Sequence, residues 1–164
     1  IELQEGHAAR ALSDPGRLSA MLSACALVDL CLPEREPHPD IFATLRALLL
    51  ALPDAAWAAV YVAWELSLLA ELGFGLDLST CAASGASTNL IYVSPKSGRA
   101  VSAAAGEDYK DKLLPLPQFL VGKEVVEPRD IADGLSLTGY FLDRHVLAPH
   151  AKLLPDARVR IAGH

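Results

Sequence analysis

Residues 64–102 read WELSLLAELGFGLDLSTCAASGASTNLIYVSPKSGRAVS, and the fold hangs on this stretch. It opens as the end of a helix that is apolar almost all round, which is the signature of a central helix. Gly73-Phe74-Gly75 then stops it, with Gly73 suited to the left-handed position just past a helix end. Residues 77–89 are rich in Ser, Thr, Ala and Gly and read as a loop around Cys81. Leu90-Ile91-Tyr92-Val93 has strand character, and Ala100-Val101 a weaker version of it. The turn residues Pro95-Lys96-Ser97-Gly98 between them predict a small hairpin.

Upstream, the central helix is expected to run from about Asp54 to Leu72. Trp57, Val60, Tyr61, Trp64, Leu68 and Leu72 would line one face, and Ala58, Ala59, Ala63 and Ala70 would let neighbours approach. Pro53-Asp54 is a short connection, so the preceding helix is expected to be its antiparallel neighbour. That helix opens at His38-Pro39-Asp40 and offers Phe42, Leu45, Leu48, Leu49 and Leu52 as its apolar face. An earlier helix starts at Ser13-Asp14-Pro15, a capping side chain followed by proline. It presents Leu18, Met21, Leu22, Cys25, Val28 and Leu32, and ends at Pro33. Residues 33–37 form a charged, proline-stiffened linker. Residues 1–12 have weak helical character.

Downstream, Ser102 is placed to cap a short helix over residues 103–105. Residues 113–120, with two prolines, read as a packed loop or a single turn, and 122–128 as a polar loop. A long helix is expected from about Arg129 to Leu147. Its buried face would be Ile131, Leu135, Thr138, Phe141, Leu142 and Val146, with Gly134 and Gly139 permitting close contacts. Pro155-Asp156 opens a last short helix to about Ala162. The expected fold is a mainly α, compact helical domain over residues 1–164 with a small β-hairpin insert.

Composition narrows the function classes. The chain has 164 residues, enough for one domain with a sizeable core, and its 52% hydrophobic content is carried by Ala and Leu. Its net charge of −6 argues against tight, non-specific nucleic-acid binding by the chain as a whole. The charge is uneven: four basic and eleven acidic residues precede Lys96, giving −7, and ten basic and nine acidic follow from it, giving +1. An anionic partner would therefore meet the second part. Cys25, Cys31 and Cys81 make no disulfide framework, which fits a reducing cytoplasm. The most apolar run, residues 55–72, contains Glu65 and Glu71 and reads as a buried helix, not a membrane span.

Chemistry-bearing motifs are sparse. Cys81 and Ser84 have the spacing of one arm of a zinc ribbon, and Ser102 and Ala105 that of the other, with one sulfur among the four. Either this is an eroded zinc module that keeps its shape by packing, or Cys81 is an ordinary buried loop cysteine. In both readings zinc is not expected. His145 and His150 lack the i,i+4 spacing that puts two ligands on one helix face, and His7, His38 and His164 lie near starts, caps or ends. No phosphate loop or nucleophile elbow is present. Carboxylate pairs such as Glu34/Glu36 and Asp108/Asp111 lie in polar segments and read as solvated charge. Lys96 and Arg99 flank a hairpin tip, which reads as a phosphate contact or as an exposed soluble turn.

ELSLLAELGFGLDLSTCAASGAS followed by LIYVSPKSGRAVS resembles the C-terminal domain of the proteobacterial RecO DNA repair family. The linker before residue 40, the LLPLPQFL segment and the LTGYFLDRHVL helix resemble it too, so the resemblance covers most of residues 14–160. It implies a helical domain with a zinc-finger-like insert, here residues 77–105, whose four metal positions would fall on Cys81, Ser84, Ser102 and Ala105. Three of the four depart from cysteine, leaving the insert degenerate. The resemblance also implies a non-enzymatic recombinational repair factor. Such a factor binds and anneals single- and double-stranded DNA, contacts RecR and the single-stranded DNA-binding protein (SSB), and helps load RecA.

Family members begin with an OB-fold domain, and no β-rich region precedes Ser13, which leaves a truncated chain or a variant lacking that domain. Binding of the SSB tail, which is acidic with an apolar end, is the activity expected to survive. Lys96, Arg99 and Arg144 are its candidate cations. The alternatives are a helical interaction or dimerisation scaffold without a DNA role, and an enzyme using carboxylates of the polar loops.

Overall fold

The computed structural model describes residues 14–32 and 38–162, the last without its side chain. The expectations for residues 1–12 and for the linker at 33–37, together with His7 and His164, lie outside the described residues. Among the described residues, six α-helices and a small sheet build the domain: α1 (Pro15–Cys31), α2 (Pro39–Ala51), α3 (Trp57–Glu71), β1 (Leu90–Val93), β2 (Ala100–Ser102), α4 (Ala103–Gly106), β3 (Leu114–Pro115), α5 (Pro128–Phe141) and α6 (Asp156–Ala162). The mainly α fold with a small β insert is as expected. Among the described residues, no helix is long and apolar enough to cross a membrane.

α3 is the central helix. Tyr61, Val62, Trp64, Glu65, Leu68 and Leu69 are buried on it, so more than one face is covered. It packs against α2 across the short connection and against α5 on another side. Helix α5 comes close because Gly134 faces Val62: a Cβ there would lie 2.8 Å from Val62 Cγ1. Past the end of α3, Gly73 adopts φ +89°, the left-handed conformation that glycine takes without a Cβ penalty. The helix starts at Trp57, not Asp54, because residues 52–56 are spent on the turn out of α2.

The α1 face differs from the expectation. Leu22 is 43% exposed and Cys25 is exposed, while Ser19, Ala20, Ser23, Ala24, Leu27 and Val28 are buried. Small side chains let α6 lie close against α1, and Ser23 brings a hydroxyl that α3 satisfies. Asp14 caps the start of α1 by accepting from the Gly16 amide (3.0 Å). On α2, Ile41 and Leu48 face the core, as does Leu52 just past its end, whereas Phe42 is 56% exposed. Val60 on α3 also reaches solvent. In each case the core-facing stripe is narrower than the apolar stripe of the sequence.

The insert is a three-stranded antiparallel sheet in the order β2-β1-β3. Residues 113–120 therefore do more than turn: Leu114 pairs with Val93, and a single 3-10 turn follows at Gln118–Val121. The hairpin turn closes with Ser94 and Arg99 paired (Ser94 N donating to Arg99 O, 2.9 Å). Ser102 caps α4 as expected, its hydroxyl accepting from Ala105 N. The long helix expected to Leu147 is α-helical only to Phe141. A π-helical turn (Leu142–Leu147) and a 3-10 turn (Ala148–His150) continue the same rod.

Candidate functional site

One buried polar network ties the helices together. Glu65 on α3 and Arg158 on α6 pair at 2.6 Å (Nε to Oε2), with side chains 0% and 3% exposed. Arg158 Nη2 also donates to Glu65 Oε1 (3.0 Å) and to the Leu135 carbonyl (2.7 Å). Thr138 donates to Glu65 Oε1 (2.6 Å) and Tyr61 donates to Glu65 Oε2 (2.8 Å). The one Tyr61 proton is thereby used, so Ser23 of α1 is the donor in its 2.6 Å bond to the tyrosine oxygen. Burial, and then the Glu65 charge, push the Tyr61 phenol well above its ordinary range. Burial opposes the charge on Arg158, but the Glu65 carboxylate outweighs it and raises the guanidinium above its usual value. This carboxylate lies in the core and is neutralised there; it belongs to no cleft.

The four zinc-like positions form a second cluster. Cys81 Sγ accepts from the Ser84 amide (3.4 Å) and the Ser102 amide (3.2 Å), and Ser102 Oγ accepts from the Ala105 amide (3.2 Å). These amide bonds shape the loop as a knuckle around Cys81, the one sulfur among the four positions. Cys81 is 1% exposed and belongs to the hydrophobic core. Donors from Ser84 and Ser102 hold its thiol down to about 6, with burial opposing them. One thiol, two hydroxyls and a methyl group do not fit zinc, which takes four nitrogen, sulfur or carboxylate ligands in structural sites. Among the described residues, no group of three or more His, Cys, Asp or Glu is placed to hold a metal ion.

The third feature is a groove of about 660 Å³ where the end of α1, the exit of α3 and the π-helical turn meet. Leu30, Leu32, Leu72, Phe74 and Val146 give it an apolar floor, and Arg144, His145, His150 and Lys152 give it a basic rim. No carboxylate is among its described lining residues. Local backbone chemistry builds that rim. The π-helical turn carries Arg144, His145 and Val146 to the groove, and such widened turns recur at functional sites. Ala151 sits at φ +54°, a left-handed conformation that costs a non-glycine residue roughly 1 kcal/mol, and directs the chain into Lys152. Lys152 Nζ donates to the Leu30 carbonyl (2.8 Å), satisfying an acceptor in the last turn of α1. The Arg144 guanidinium lies 5.5 Å from the centroid of Tyr140, which orients it while leaving its N–H groups available.

Of the three candidate cations, Arg144 lines the groove, while Lys96 and Arg99 stay on the hairpin. Lys96 is exposed at the turn; Arg99 is half-buried and donates to Thr80 Oγ1 (3.4 Å). The sequence reading missed Lys152, Phe74 and both histidines as groove residues. The signal lay in the clustering of Arg144, His145, His150 and Lys152 within one short segment, not in helical spacing.

Comparisons with known proteins agree with this architecture. The family described as "Recombination protein O C terminal" matches residues 12–154. The DNA repair protein RecO of Rhodospirillum centenum is 54% identical over 162 residues, covering 98% of this chain and 65% of that protein. The RecO proteins of Methylobacterium nodulans (50% over 165 residues, 96% and 67%) and Rhodospirillum rubrum (48% over 168 residues, 98% and 67%) are similar over the same extent. The chain thus spans about two thirds of the length of these curated relatives. No solved structure matches it at a significant level. The chain belongs to the recombination protein O C-terminal family.

Proposed function

We propose that this chain is the partner-recognition part of a recombinational DNA repair factor, a cytoplasmic module without bond-making chemistry of its own. Its ligand is the acidic, apolar-ended tail of the single-stranded DNA-binding protein. The observation that carries this reading is the groove: an apolar floor for the tail's end, rimmed by Arg144 and Lys152 and lined by no described carboxylate. Electrostatic complementarity of that kind fixes register and speeds encounter, while floor contacts slow release. DNA annealing, RecR contact and help in loading RecA are activities we propose for the whole repair protein, of which this chain is a part. The exposed Lys96 and neighbouring Arg99 are its candidate phosphate contacts.

The test is a fluorescence titration of a labelled SSB C-terminal peptide against the wild-type chain and the R144E/K152E variant. Reversing both rim charges is expected to weaken binding by about 10- to 100-fold. Wild-type affinity in that variant would remove the groove from the account. A K96E/R99E variant is expected to keep its peptide affinity, since neither residue lines the groove.

A further inference from the structure

The groove carries two kinds of basic side chain. Arg144 and Lys152 hold fixed charges, whereas His145 and His150 gain theirs on protonation. His145 is half-buried, its ring stacked on Phe141 (centroids 5.3 Å apart, planes at 19°) and 6.2 Å from the Phe74 ring. A cation over an aromatic face is attracted by the ring quadrupole. His150 is exposed on the 3-10 turn.

The titratable and charged groups around the pair leave that change uncompensated. On its own turn His145 has Arg144 and Asp143 as neighbours, and α5 contributes the Tyr140 ring at 6.4 Å. The end of α1 contributes Cys31, whose thiol burial pushes up to about 11 against the pull of Lys152, so it stays neutral. The segment after the π-helical turn contributes His150 and Lys152, and the end of α3 carries Glu71. Neither Asp143 nor Glu71 lines the groove.

We infer that the groove is proton-gated: protonation of His145 and His150 turns a rim of two cations into one of four and tightens its hold on an acidic peptide. The inference rests on the acidic-peptide reading above. Carboxylates stay ionised across the range in which histidine titrates, so the ligand's own charge does not change with it.

The experiment repeats the titration of the full chain with the labelled SSB C-terminal peptide at about pH 8 and about pH 6, at fixed ionic strength. The wild type is expected to bind about tenfold tighter at the lower pH, and H145Q/H150Q to show no such ratio. A pH-independent wild type, or a double variant that keeps the ratio, overturns the inference. The R144E/K152E variant separates the two levels. If it abolishes binding while the histidine variant keeps the pH ratio, the groove stands and the gating falls. If it leaves binding intact, both fall.

Discussion

Replacing Arg158 with methionine is expected to destabilise the domain by about 3–5 kcal/mol, because it strands a buried carboxylate. Glu65 is 0% exposed and would keep only the Tyr61 and Thr138 hydroxyls as donors. The Leu135 carbonyl would lose its side-chain donor as well. Arg158 also packs against the bare backbone of α5: a Cβ on Gly139 would lie 3.1 Å from its Nη2. For a chain of this size the change corresponds to a fall in Tm of roughly 6–20 °C. The double variant E65Q/R158M removes both charges at once, and is expected to be more stable than R158M alone, since the cost lies in the unpaired ion and not in the missing pair. Urea denaturation of the three proteins decides it. An R158M domain within about 1 kcal/mol of wild type would mean that the network does not hold α1, α3, α5 and α6 together.

The second large effect is a gain. The variant S84C/S102C/A105C is expected to bind one zinc ion per chain, with an apparent stabilisation on the order of 10 kcal/mol and full reversal by a chelator. The amides that would support thiolates at these positions already point at Cys81 Sγ and Ser102 Oγ. Cobalt substitution gives a direct readout through the absorbance of a tetrahedral thiolate site. A triple variant that folds by far-UV circular dichroism but takes up no metal would show that the knuckle shape is coincidental packing.

What the sequence made legible follows from range. The turns around Cys81, the Ser102 cap, the hairpin and the Gly73 stop are set by residues a few positions apart, and all were read from local chemistry. α3 was legible because an apolar run with glycine behind it has few other readings. The α1 face was not, because Ser19, Ala20, Ser23 and Ala24 score as neutral or polar and become core only when α6 packs on them. Glu65 and Arg158 are 93 positions apart, and nothing on either side of each signals the pairing. The groove draws on three separated segments, and its rim depends on a π-helical turn that takes Arg144 and His145 off the α-helical register. Periodicity carried through LTGYFLDRHVL therefore gave Thr138, Phe141, Leu142 and Val146 as buried, passed over the buried Leu137, and could not show which side chains would meet at the groove.

The most direct test of the account is binding of a fluorescent SSB C-terminal peptide to this chain across a salt series. Saturable binding that weakens steadily as salt rises is expected, since rim cations facing solvent are screened. Absence of saturable binding at low salt, even at high protein concentration, would contradict it.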